Sequence, residues 1–362
     1  MMESATHQQT TTMARVLSTT GKNLHKLVGI DLGTGRLRIW SNQDDEIIDE
    51  ATCLAVESYS GKVVAVGDEA LAMRGRVGEQ IEVVLPVSHG EIARIDHTRA
   101  LLRVLLQRIF RRIWFWKPTM MITLPVGSSV ATRDVTAELL YSLGAREVLT
   151  ISQPLAAAIG AGVPIADASG SFVVQLGSGV VEAAITSLGS IIDSESIRWG
   201  GDRLDQRLQL AVRDRYLLEI SLETARRLKH QVGTLILESD KEMVVSGHDL
   251  GATALKEVVV TGSSLEPVMS QEISRFERSV RNLLSRIPPE LTTDVIDKGI
   301  LLSGGLAQLD SLDEYLINRL AVPASVVDEP EQTAIKGVVT ALENIEEFKR
   351  SLGYATTRYN PV

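Results

Sequence analysis

The chain carries one pattern twice, and that repetition limits what it can fold into. Leu27-Val28-Gly29-Ile30-Asp31-Leu32-Gly33-Thr34-Gly35-Arg36-Leu37-Arg38-Ile39-Trp40 places strand-like residues on both sides of a glycine turn. Phe172-Val173-Val174-Gln175-Leu176-Gly177-Ser178-Gly179-Val180-Val181-Glu182-Ala183-Ala184-Ile185 does the same again. Each stretch reads as a β-hairpin. Each then leads into further strands and helices, which predicts an α/β protein of two related lobes facing a cleft. Turns at strand ends in such a layout approach a ligand closely.

In the first half, short strands are expected over 46–66 with a turn at 58–61. A helix is expected over 97–113, where Leu101, Leu102, Leu105, Leu106, Ile109 and Phe110 share a face. A strand follows at 120–125, a helix at 131–143, a strand at 146–151 and an Ala-rich helix at 154–161 opened by Pro154. In the second half, helices are predicted at 203–217 and 221–232, and short strands with polar turns over 234–262. A helix at 270–286 precedes Pro288-Pro289. A strand at 299–302 runs into Ser303-Gly304-Gly305, with helices near 310–320 and 331–345. Ser128-Ser129 and Gly262-Ser263-Ser264 read as turns, and Cys53 as a small core residue in a strand.

The 362 residues suffice for two domains. The net charge of −9 argues against a general nucleic-acid binder, so no nucleic-acid partner is expected. A single cysteine allows no disulfide within the chain. No apolar run is long enough to span a bilayer, and residues 1–26, rich in Ser, Thr and Gln, read as a flexible tail. The six histidines show no metal-ligand spacing.

Polyphosphate needs backbone N–H donors and room for close approach, and glycine supplies both. Two facing glycine turns can clamp it from opposite sides, and Gly304-Gly305 adds a third turn. Asp31 sits where a carboxylate can orient the waters of a bound Mg²⁺.

The order of these motifs resembles the superfamily of actins, heat-shock chaperone ATPases and sugar kinases, and within it the MreB group of bacterial actins. Asp31-Leu32-Gly33-Thr34-Gly35 is similar to the first phosphate loop. Gly177-Ser178-Gly179 is similar to the second, Gln153-Pro154-Leu155-Ala156-Ala157-Ala158-Ile159-Gly160 to the first connecting segment, and Ser303-Gly304-Gly305 to the adenosine loop. Leu124-Pro125-Val126-Gly127, Gly144-Ala145-Arg146-Glu147-Val148, Glu195-Ser196-Ile197-Arg198 with Gly200-Gly201-Asp202, and Pro288-Pro289-Glu290-Leu291 are close to the group's wording. The resemblance spans about Leu27 to Glu343.

It implies an actin-like fold of two RNase H-like lobes around a nucleotide cleft, each with a smaller subdomain. Lobe I would comprise 27–150 and 322–347, with its subdomain at about 41–75. Lobe II would comprise 151–321, with its subdomain at about 190–255, and 348–362 would be a C-terminal tail. The implied ligand is ATP or ADP with Mg²⁺, the metal held through water by Asp31. The implied nucleotide-binding residues are Asp31, Gly33, Thr34, Gly35, Gln175, Gly177, Ser178, Gly179, Gly201, Asp202, Lys229, Gly304 and Gly305. The implied function is a filament of self-associating subunits, cytoplasmic and peripheral on the inner face of the cell membrane. It would organise cell shape or cell-wall synthesis with the proteins of that process.

Several departures point one way. The group's second phosphate loop usually reads Asp-x-Gly-Gly-Gly-Thr-Thr-Glu. Here neutral Gln175 replaces the metal-supporting Asp, and Val180 and Val181 replace the two Thr. Gln153 replaces the Glu that positions the attacking water, Leu306 stands at the third glycine of the adenosine loop, and Arg226 replaces a Glu near the ribose. Losing a general base costs about 10²–10⁴-fold. The chain is therefore expected to be at most a slow ATPase whose glycine cradle still serves binding. An accessory actin that co-assembles with a paralogue, or a small-molecule kinase of the same superfamily, are the other readings.

Arg111-Arg112-Ile113-Trp114-Phe115-Trp116-Lys117-Pro118 places three aromatics in a row. They cannot all face one core from a regular element. A core cap, a protein interface and a lipid interface are all open. The resemblance favours an anionic membrane surface, through Ile113, Trp114, Phe115 and Trp116, because MreB proteins carry a hydrophobic insertion loop at this place.

Overall fold

The computed structural model describes residues 26–43, 46–109, 117–165, 168–252 and 254–351. The helix expected over 97–113 is Ile95–Ile109. Ile113, Trp114, Phe115 and Trp116 lie outside the described residues, as does the expected tail up to residue 25.

The first hairpin is β1 (Leu27–Leu32) and β2 (Arg36–Ser41), followed by β3 (Ile47–Ala51), β4 (Leu54–Glu57), β5 (Val63–Val66), β6 (Ile81–Val84), β7 (Val87–Ser88) and β8 (Glu91–Ile92). After the helix Ile95–Ile109 come β9 (Thr119–Leu124) and β10 (Glu147–Ser152). The main sheet runs β10-β9-β1-β2-β3, with β5-β4-β6 as a small sheet beside it. Cys53 sits on the link between β3 and β4 rather than in a strand, its thiol directed at the Gly67 carbonyl.

The second half contributes β11 (Ser171–Leu176), β12 (Val181–Ser187), β13 (Ser190–Ile197), β14 (Leu218–Glu219), β15 (Glu242–Asp249), β16 (Ala254–Thr261), β17 (Ile300–Ser303) and β18 (Ala324–Val326). Its main sheet runs β13-β12-β11-β17-β18, and β14-β15-β16 forms the accompanying small sheet. The two main sheets share one plan. An antiparallel meander (β1-β2-β3, or β11-β12-β13) continues through two parallel strands (β9-β10, or β17-β18). The sequence repeat is thus a repeat of topology. The strands of each hairpin are buried on both faces because helices cover them, as the apolar runs require.

Two helices join the lobes. Gln153–Gly160 follows β10, and Thr333–Glu343 returns from β18 to pack on β1. They cross where Gly160 faces Thr333 and Gly337 faces Ala156; a Cβ on either glycine would overlap the opposite backbone. The return to the first lobe therefore comes at Thr333–Glu343, since β18 still pairs with β17. The ordered chain also passes 347, where a tail was expected. The helix Ile345–Ser351 buries Phe348 completely and pairs Lys349 with Glu147 at 2.7 Å.

Two expectations near the prolines differ from the structure. Gly262-Ser263-Ser264 is the first turn of the helix Gly262–Leu284, not a free turn, and Pro267 lies within that helix. Pro289 does not only end a segment: it opens the helix Pro289–Lys298 at the position where a missing N–H costs nothing. Ser129 N-caps the helix Val130–Ser142, accepting from Thr132 N at 3.1 Å.

Candidate nucleotide cleft

The two glycine turns meet at the floor of a cavity of about 490 Å³. In the first turn Gly33 N donates to Arg36 O at 3.0 Å; in the second Gly177 N donates to Val180 O at 3.0 Å. The turns touch. A Cβ on Gly35 would lie 2.7 Å from Ser178 Oγ, and one on Gly179 would lie 2.6 Å from Thr34 Oγ1. The β7–β8 hairpin ties them together: Gly90 N donates to Thr34 Oγ1 and His89 Nδ1 contacts Gly179 O, both at 2.8 Å.

Helix Gly201–Tyr216 starts directly on the second turn, with Gly201 N donating to Gly177 O at 3.1 Å and Asp202 N to Ser178 O at 2.8 Å. Its positive dipole end therefore faces the cavity, which suits an anion. Lys229 is buried and donates from Nζ to Gly201 O at 3.2 Å, with Asp205 Oδ1 at 2.7 Å. Arg226 holds Asp205 Oδ2 at 3.2 Å and Asp202 Oδ1 at 3.3 Å. Burial pushes the Asp202 carboxyl above its usual range, against the pull of Arg226. The third turn closes the far wall: Gly304, at φ 91°, sits against the Leu176 backbone, and Gly305 opens a short 3-10 turn beside Leu306.

Asp31, Gly33, Thr34 and Gly35 line this one cavity together with Gln153, Gln175, Gly177, Ser178 and Gly179. Gly201, Asp202, Lys229, Gly304 and Gly305 complete the set singled out in the sequence. Asp31 is buried; Thr123 Oγ1 donates to its Oδ1 at 2.8 Å, and Arg38 Nη1 lies 3.8 Å from its Oδ2. Burial raises the Asp31 carboxyl's pKa, opposed first by Arg38 and then by the Thr123 hydroxyl. Gln175 is buried, and its Oε1 has no hydrogen-bond partner among the described residues. An orphaned acceptor bordering a cavity is a group that a ligand or water completes.

Sequence reasoning missed Arg36, Arg38, Arg74, Asp49 and His230, which line the same cavity. The signal was present for two of them, because Arg36 and Arg38 are two apart in a strand and so share a face. Their common partner Asp49, cross-strand from Arg38, was not legible.

A model of the MreB/Mbl protein family matches residues 25–350. The chain belongs to that family. It is 32% identical to the cell shape-determining protein Mbl of Bacillus subtilis over 327 residues, covering 90% of this chain and 98% of that one. It is 31% identical to the cell shape-determining protein MreB of Escherichia coli over 325 residues, covering 88% and 94%. Among solved structures, MreB5 of Spiroplasma citri bound to AMPPNP superposes with a TM-score of 0.84 at 25% identity, over 92% of this chain and 100% of that one. The ADP-bound form of that protein gives 0.85 at 24% identity, over 91% and 99%. The subunit of the MamK double helical filament gives 0.76 at 18% identity, over 88% and 99%, a likeness of fold. This family member is a bacterial actin homologue of the cell-shape-determining type, and its fold is actin-like.

Proposed function

We propose that the chain binds an adenine nucleotide in the cleft between its lobes and polymerises into cytoskeletal filaments on the inner face of the cell membrane. The observation that carries the reading is the convergence of three glycine turns and one helix N-terminus on a single cavity of nucleotide size. Backbone N–H groups and Lys229 would hold the phosphates, and the wall formed by Gly304, Gly305 and Leu306 would hold the base. The relatives bound to ADP and AMPPNP, and the filament formed by MamK, support the same reading.

Hydrolysis is expected to be slow. Gln153 and Gln175 stand where the group uses carboxylates, and an amide keeps the shape but loses the charge and nearly all the proton affinity. The same two residues support an accessory role beside a paralogous subunit. Attachment to anionic lipid is assigned to Ile113, Trp114, Phe115 and Trp116, on their sequence pattern. Among the described residues no helix is long and apolar enough to cross a membrane. Many copies along a filament would strengthen weak single contacts.

Electron microscopy on anionic lipid, with ATP, with ADP and without nucleotide, tests the reading. Filaments are expected in every condition, with phosphate release far below that of a family member with both carboxylates. Absence of filaments alone but their appearance with a paralogue would select the accessory role. Changing Trp114, Phe115 and Trp116 to Ser is expected to abolish pelleting with liposomes, and unchanged pelleting would remove the membrane assignment.

A further inference from the structure

The cleft floor holds a guanidinium beside the oxygen expected to serve a metal. Arg38 lies on β2, directly cross-strand from Asp31, and its side chain is 9% exposed. Nε donates to Asp49 Oδ2 at 3.0 Å, and Asp49 is itself held by Arg36 at 2.7 Å. Among the described residues that is the one side-chain hydrogen bond Arg38 makes. Both terminal nitrogens keep their N–H donors, since the 3.8 Å from Nη1 to Asp31 Oδ2 is too long for a direct hydrogen bond.

A divalent magnesium ion needs oxygen donors in near-ideal octahedral order and usually takes one or two carboxylates besides phosphate and water. The floor offers little of this. Asp31 has one oxygen taken by Thr123 and the other facing Arg38, and Gln175 across the floor is neutral. The fixed positive charge of Arg38 also repels a cation placed near Asp31 Oδ2. The same donors suit a phosphate directly. Arginine is always charged and presents a planar fork of N–H groups matched to phosphate oxygens. On the lobe II wall Arg226 is engaged with Asp202 and Asp205, and Lys229 shares its charge with Asp205.

We propose that this cleft takes its nucleoside di- or triphosphate without a divalent cation, the Arg38 guanidinium supplying the counter-charge. The inference rests on the nucleotide reading above and goes beyond it, because it changes which cofactor the site requires.

Calorimetric titration of the full chain with ATP, once with magnesium and once with excess chelator, tests it. The expected Kd differs by less than about threefold between the two. Weakening by about tenfold or more on chelation overturns the inference while leaving the nucleotide reading in place. No binding in either condition overturns both. Arg38→Gln is expected to weaken binding in chelator by about 10–100-fold, the scale of a charged hydrogen bond. Arg38→Gln combined with Gln175→Asp is expected to make binding magnesium-dependent, and continued indifference to magnesium would show that Arg38 does not stand in for the metal. Should the variants not fold, the titration of the unaltered chain decides alone.

Discussion

Around Gly33 and around Gly177 the backbone follows one course, yet the side chains facing across the two hairpins differ in charge. Asp31 pairs in register with Arg38, and at the equivalent place Gln175 pairs with Glu182. The first pair is an acid and a cation whose carboxylate is also hydrogen-bonded by Thr123. The second is an amide and a carboxyl, each with one oxygen lacking a partner among the described residues. Burial pushes the Glu182 carboxyl up to about 8, against the Val126 N–H and the Ser196 hydroxyl, so near neutral pH it is mostly protonated. Duplication has thus kept the turns and divided the chemistry: the first hairpin carries an acid and a cation in register, and the second an amide and a carboxyl.

The sharpest way to break this contrast is Arg38→Leu, which removes the cation beside buried Asp31 and leaves Asp49 to Arg36 alone. A loss of about 3–5 kcal/mol in chemical denaturation is expected, as for other broken buried pairs, and a loss under about 1 kcal/mol would mean the first floor is no more charge-dependent than the second. Next comes pH. Glu182 has a folded pKa of about 8, above the ordinary carboxyl value, so its contribution to stability is full below the unfolded pKa and is lost as pH rises through about 8. Melting temperature should fall over that window, and Glu182→Gln should flatten the fall; an unchanged slope would place the titration elsewhere. The smallest effect tests the likeness rather than the difference. A Cβ at Gly33 would lie 2.8 Å from Arg36 O, and at Gly177 2.7 Å from Val180 O. Each Gly→Ala change is expected to cost about 1–3 kcal/mol, and the two costs should agree. Unequal melting shifts would show that the turns are not equivalent.

The hairpins were legible because glycine spacing and apolar residues both survive in the repeat, and both are local signals. The turn residues of the cleft followed from those same turns, whereas Gln153, Gly201, Asp202 and Lys229 came only with the resemblance to the MreB group. Helix starts were less legible: Gly262-Ser263-Ser264 has turn composition, and tertiary packing of Leu265, Met269 and Ile273 overrides it. Arg38 was written in the strand alternation but reads there as one more polar residue, because its significance depends on Asp31 and Asp49 lying beside it. The contact of Glu182 with Val126 N, at 2.5 Å, joins the two lobes across the chain, and no local pattern encodes it.

The close seating of the two turns has a mechanical meaning. Gly35 against Ser178, and Gly179 against Thr34, leave no room for one lobe to slide past the other at the floor. With the β7–β8 hairpin fastened to both, that floor has the geometry of a pivot, about which rotation of the lobes would widen or narrow the mouth.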